Sequence, residues 1–217
     1  MELLNDEDVR VLGSLAEKEL TTPENYPLSL NALTNACNQV SNRDPVVQYD
    51  ETTVKAAVDR LRKYSLVRSI QRADARVMKY MHLLSDALDL GRPEVATMSV
   101  LMLRGPQTVG ELRTRTARSF DFPSLEEVEA TLNGLAARTP SPLVTRLERQ
   151  PGQKEARFAH LLSGEVTLFT PAPPAQTAPI IRDDPDRLDV LEKTIESLRS
   201  EVTELRDEVG ELKRLLE

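Results

Sequence analysis

Residues 50–84 read DETTVKAAVDRLRKYSLVRSIQRADARVMKYMHLL, and the hydrophobic period changes half-way along them. Val54, Ala57, Val58 and Leu61 recur at the spacing of one buried helix face. Asp50 stands where a carboxylate can accept from the free N–H groups of a helix start. After Tyr64 the runs LVRSIQR and RVMKYMHL are β-rich and are joined by Ala73-Asp74-Ala75, which predicts a hairpin. Between Lys55 and Lys79 there are eight basic residues and only two acidic ones, Asp59 and Asp74, a local surplus of +6. A helix followed by a basic hairpin is what a winged helix offers to a DNA backbone.

The segments before this one complete such a unit. Asn5 caps a helix expected over Asp6–Leu20, with Val9, Leu12, Leu15 and Ala16 facing inward. TTPENYPL is a loop punctuated by Pro23 and Pro27. Ser29 then caps LNALTNACNQV, whose apolar face is Leu30, Leu33, Cys37 and Val40.

The layout then repeats. Arg92-Pro93-Glu94 opens a helix with proline in its first turn. PQTVGELRTRT aligns with PLSLNALTNAC, setting Val109 against Leu30 and Leu112 against Leu33, and LEEVEATLNGLAAR answers TVKAAVDRLRK. Thr108/Glu111 and Ser124/Glu127 have capping-box spacing. LVTRL answers LVRSI, FAHLLSG answers YMHLLSD, and the second hairpin turns through Gln150-Pro151-Gly152-Gln153. His160 answers His82, and matching element order of this kind marks a tandem repeat.

Beyond the repeat, PAPPAQTAPIIRDDP reads as an extended spacer. A heptad then places Leu188, Ile195, Val202, Val209 and Leu216 at a, and Leu191, Leu198, Leu205 and Leu212 at d. All nine are apolar, which specifies a coiled coil, and mostly β-branched a positions with Leu at d favour a parallel pair. Glu201 and Glu208 at g would meet Arg206 and Lys213 at e of a partner. Packing back onto the same chain is the alternative.

The expected fold is therefore mainly α with small β-hairpin wings (α+β), as tandem winged helix-turn-helix domains at 1–90 and 91–168. A Pro-rich linker at 169–186 and a coiled-coil dimerisation helix at 187–217 follow.

Charge at first opposes a nucleic-acid reading, because the net charge is −7. By segment it is −3 over 1–90, +1 over 91–170 and −5 over 171–217, so much of the acidity lies in the tail. Exposed charges are screened beyond roughly 10 Å, and local surplus outweighs the total. One cysteine excludes an internal disulfide and suits a reducing cytosol. The acidic start lacks the pattern of a signal peptide, and no apolar run approaches membrane-spanning length, so a cytoplasmic protein is expected. Two histidines and one cysteine without ligand spacing give no zinc site. Phosphate-loop, dinucleotide and nucleophile-elbow motifs are absent. The expectation is a protein without enzymatic activity or cofactor.

The residues expected on DNA are Thr52, Lys55, Arg60 and Lys63 on the third helix, with Arg68, Arg72, Arg76 and Lys79 on the wing. Strand cations of this kind position the backbone without reading sequence; edge-strand protection is their plainer role. Asn35, Arg43, Arg113, Arg115, Arg149 and Lys154 are further candidates. Cys37 reads as a small buried hydrophobe.

The run EKELTTPENYPLSLNALTNACNQVSNRDPV resembles the signature of the YceH family of uncharacterised bacterial proteins. RGPQTVGELRTRTARSF and PGQKEARFAHLLSGEV resemble that family's later motifs, so the likeness covers about 1–166. It implies a pair of winged-helix domains in a cytosolic protein and carries no biochemical activity with it. Val40 stands where the family pattern leads one to expect lysine, which removes a cation near the first helix-turn-helix. Two functions follow: a homodimeric DNA-binding regulator that uses the first winged helix, or a scaffold whose winged helices dock protein partners.

Overall fold

Asn5 begins the first helix as the sequence leads one to expect: its Oδ1 accepts from Asp8 N at 2.9 Å, opening α1 (Asp6–Thr21). The computed structural model describes residues 3–71, 77–149 and 155–164. After α1 come a 3-10 turn (Pro23–Asn25), β1 (Leu28–Ser29), α2 (Leu30–Cys37), α3 (Glu51–Lys63), β2 (Val67–Ile70), β3 (Lys79–His82) and α4 (Leu84–Leu88). The second run holds α5 (Arg92–Arg104), α6 (Val109–Thr116), α7 (Leu125–Ala136), β4 (Val144–Arg146) and β5 (Phe158–His160). The described chain is mainly α with two small antiparallel sheets, ordered β1-β3-β2 and β4-β5.

Local chemistry sets the helix starts. Ser29 Oγ accepts from Ala32 N, and Asp50 Oδ1 from Thr53 N at 2.7 Å. Thr108 and Glu111 form a reciprocal capping box. Ser124 accepts from Glu127 N, which is half of the box that its spacing suggests. Glu94 reaches back to Gly91 N at the start of α5.

The repeat extends to individual backbone bonds. Leu28 pairs with Tyr80, and Gln107, its counterpart, bridges Phe158, the counterpart of Tyr80. Val67 faces His82 as Val144 faces His160. Leu83 N donates to Leu66 O and Leu161 N to Leu143 O, both at 2.8 Å. Each histidine thus closes its hairpin.

Two expectations need correcting. The second helix was expected to run on to Val40 with that side chain inward; it stops at Cys37, and Val40 is 82% exposed. The cause is competition for the end of α2. Asn38 exchanges hydrogen bonds with the Tyr49 backbone at 2.7 and 2.8 Å, while Arg43 and Arg10 occupy the carbonyls of Ala36 and Cys37. With the last carbonyls taken by side chains, nothing draws the helix onward.

The first helix was expected to bury a single face, yet every residue from Asp8 to Ala16 is buried. The second side is covered by α5, itself buried from Val95 to Leu103. A helix covered on all sides lies inside a core, and the polar residues this buries in α1 are held by partners, Asp8 by Arg60 and Arg10 by backbone carbonyls. Gly13 sets the approach: a Cβ there would stand 3.0 Å from Met102 Cβ. Backbone links from Leu4 N to Leu162 O and from Asp44 N to Leu103 O join the two runs again, at 2.9 Å each. Their apolar residues form one continuous core within 1–166.

Candidate nucleic-acid interface

α3 presents its outer side through the pattern that buries the inner one. With Val54, Ala57, Val58 and Leu61 inside, Thr52, Ala56, Arg62 and Lys63 are exposed. The cations on this helix are less free than their count suggests. Lys55 Nζ lies 2.5 Å from Asp59 Oδ2, and Arg62 lies 3.5 Å from the other oxygen of the same carboxylate. Lys55 and then Arg62 hold the Asp59 carboxyl below its ordinary range. Both pairs are exposed, and pairs of that kind contribute about 0–1 kcal/mol, little enough for a phosphate to displace.

Arg60 is different. Its guanidinium bonds Asp8 on α1 at 2.9 Å, with Glu7 at 3.7 Å. Asp8 is buried, and its carboxyl is pushed up by that burial against the pull of Arg60. Arg60 therefore fastens α3 to α1, and the acidic first turn of α1 lowers the positive potential beside it.

On the first hairpin the pleat puts Arg68 and Lys79 on one face, opposite the buried Val67 and Tyr80. Arg68 is exposed with Nε 3.1 Å from Met81 Sδ. Lys63 and Lys79 are exposed and form no ion pair among the described residues. Arg72 and Arg76 lie outside the described residues, as do Lys154 and the nine heptad positions Leu188, Leu191, Ile195, Leu198, Val202, Leu205, Val209, Leu212 and Leu216.

The further candidates disperse. Asn35 is exposed and donates to Asn31, which donates to Glu51 and ties α2 to the start of α3. Arg43 turns inward: its side chain is fully buried, and both terminal nitrogens bond the Glu17 carboxylate, at 3.1 and 2.6 Å. An outside ligand cannot reach it. Its sequence position, in a polar loop, gave no sign of this. Arg113 holds the α6–α7 connection through the carbonyls of Phe122 and Pro123, and Arg115 lies 3.5 Å from Glu111. Arg149 is exposed, three residues beyond the end of β4. On α7, the positional counterpart of α3, the exposed leading residues are Glu126, Glu127 and Glu129. Cys37 is buried, which pushes its thiol up to about 11.

Among the described residues no group of three potential ligands could hold a metal ion, and no helix is long and apolar enough to cross a membrane. Residues 4–153, spanning both runs of helices, match the family described as "Protein of unknown function, DUF480". The chain belongs to the DUF480 family. Curated relatives carry the name UPF0502 protein. The one from Geotalea uraniireducens is 53% identical over 218 residues, covering 99% of this chain and 98% of the relative. The Opitutus terrae protein is 50% identical over 197 residues, 91% and 84% of the two chains. An Aliivibrio fischeri protein is 44% identical over 216 residues, 98% and 99%. DUF480 membership agrees with the YceH resemblance, and the relatives extend it along nearly the full length.

Proposed function

We propose that this chain is a non-enzymatic, cytoplasmic, homodimeric DNA-binding protein, a transcriptional regulator that engages duplex DNA through a winged helix built from α1 to β3. The observation that carries the reading is the exposed, cation-bearing side of α3 beside a hairpin with Arg68 and Lys79 on its outer face. An α-helix fits the major groove, and strand cations suit the flanking phosphates. Thr52 and Ala56 keep the outer face of α3 low enough for close approach. Arg72 and Arg76 extend the same hairpin in sequence. The second helical run serves as a second winged helix that orients the first, and the heptad from Leu188 to Leu216 pairs two chains in parallel.

The test is anisotropy of a labelled random-sequence duplex with the full chain and with Lys63→Glu/Arg68→Glu/Lys79→Glu. All three side chains are exposed, so the variant keeps its fold. DNA binding through this face requires the variant to lose affinity by about 100-fold or more. Equal affinity for the two proteins would reject it.

A second reading rests on a specific contrast, because α7 leads with exposed glutamates and Asp59 neutralises part of α3. In that reading the winged helices dock protein partners. Absence of DNA binding by wild type at low salt, together with a stable complex through α7, would favour it.

A further inference from the structure

A cleft of about 390 Å³ opens between the end of α1, the loop after α2, and helices α5 and α6. That volume falls in the range of small-molecule sites, roughly 300–1,000 Å³. Four cations line it: Lys18, Arg104, Arg115 and Arg118. Among the described lining residues the one carboxylate is Glu17, bonded from behind by the buried Arg43 and 3.8 Å from Lys18. Arg115 lies 3.5 Å from Glu111, a carboxylate it shares with Arg157, which leaves Arg104 and Arg118 without a carboxylate partner among the described residues.

The polar atoms are sorted in the same sense. Gln39 Oε1 accepts from Lys18 and Arg43, and Asn42 Oδ1 accepts from Arg104. Both amide oxygens are thereby engaged, which leaves the NH2 groups to donate. Arg118 is exposed and forms no ion pair among the described residues. Burial, then the charges of Arg115 and Arg43, hold the Arg104 guanidinium below its ordinary value, while Glu17 and Asp44 pull the other way. Val100 and Leu103 add an apolar strip to the wall. The hydroxyls of Thr21 and Thr22 donate to their own helix, so only their lone pairs face outward.

We infer that this cleft binds a small phosphate ester, of nucleotide or sugar-phosphate size, as an effector. The surplus of cations suits an anion, the outward lone pairs suit ligand hydroxyls, and the apolar strip suits the organic part. Apart from Arg115, one of the further sequence candidates, the site lies on side chains other than those assigned to DNA, and Lys63, Arg68 and Lys79 lie outside it, so either proposal can fail alone.

The experiment is isothermal titration calorimetry of the full chain at low salt, with AMP and with inorganic phosphate as probes. Wild type should bind AMP saturably at one site, and more tightly than inorganic phosphate. Arg115→Gln/Arg118→Gln, at two exposed positions, should weaken AMP at least about tenfold. Lys63→Gln/Lys79→Gln, outside the cleft, should leave it unchanged. Absence of saturable binding would overturn the inference, as would equal affinity for the two probes or loss of binding in the Lys63/Lys79 variant. A circular dichroism melt of the Arg115/Arg118 variant matching wild type confirms that any loss is local.

Discussion

Arg43 and Glu17 stand 26 residues apart in sequence, and their bidentate pair closes the loop after α2 onto α1. Arg43→Ala leaves the half-buried Glu17 carboxylate and the Ala36 carbonyl without their donor, and a buried polar group left unpaired costs about 1–3 kcal/mol. The variant should therefore have a lower denaturation midpoint in a urea titration, and a loss under about 1 kcal/mol would show that the loop is held by other means. The sequence could not disclose this role, because an arginine in an Asn-rich loop has the same local surroundings whether it faces phosphate or a carboxylate. The same limit applied to Arg60, whose partner Asp8 lies 52 residues away. His160 makes a second residue-scale prediction. Burial holds its imidazole down, to about 4 against an ordinary 6.5, and its Nδ1 has no hydrogen-bond partner among the described residues. A histidine with a lowered folded pKa binds more protons when unfolded, so stability is full at neutral pH and is lost as pH falls from about 6.5 towards 4. Between pH 7 and 5 the loss should be about 2 kcal/mol, measured by urea denaturation, and His160→Gln should flatten it. The lowered carboxyls of Glu19, Asp59 and Glu111 act at lower pH.

At the scale of elements, most of what forms was legible, because its causes are local. Caps at Asn5, Ser29, Asp50 and Thr108 sit where their side chains suggested, and the switch from helical to strand period after Tyr64 marks the end of α3. The end of α2 was illegible, since it depends on Arg10 and Arg43 arriving from elsewhere in the chain. The burial of α1 on all sides was also hidden. Nothing within Asp6–Thr21 states that α5 lies across it, although the nearly unbroken apolar run of α5 hinted at a core position for that helix. Gly13 provides the test. In an exposed helix, Gly→Ala stabilises by about 1 kcal/mol. Here the added methyl would meet Met102 Cβ and Leu103 Cγ at 3.0 and 3.1 Å, and the first of these is fixed to the backbone of α5. Gly13→Ala should therefore lower the melting temperature despite its better helix propensity. A rise would mean that the two helices have room to separate.

At the scale of the whole molecule, the described residues make one core from two runs of matching element order, which differ in what they show to solvent. α3 ends in the exposed cations Arg62 and Lys63, whereas α7 begins with exposed glutamates. Because α1 and α5 bury each other, the segment to 166 should unfold in one cooperative step, with coincident curves from near- and far-ultraviolet dichroism. Two separated transitions would show that each run is stable alone. The repeat itself was legible down to the matched histidines; the shared core was not, because repeat arithmetic says nothing about which faces meet. For the central proposal, the decisive measurement is the affinity of the full-length chain for a random-sequence duplex across a salt series. Contact through several lysines and arginines predicts that log Kd rises linearly with log salt, by about 0.9 per phosphate engaged, with a slope of roughly 4 or more. Absence of binding at low salt, or an affinity indifferent to salt, would contradict it.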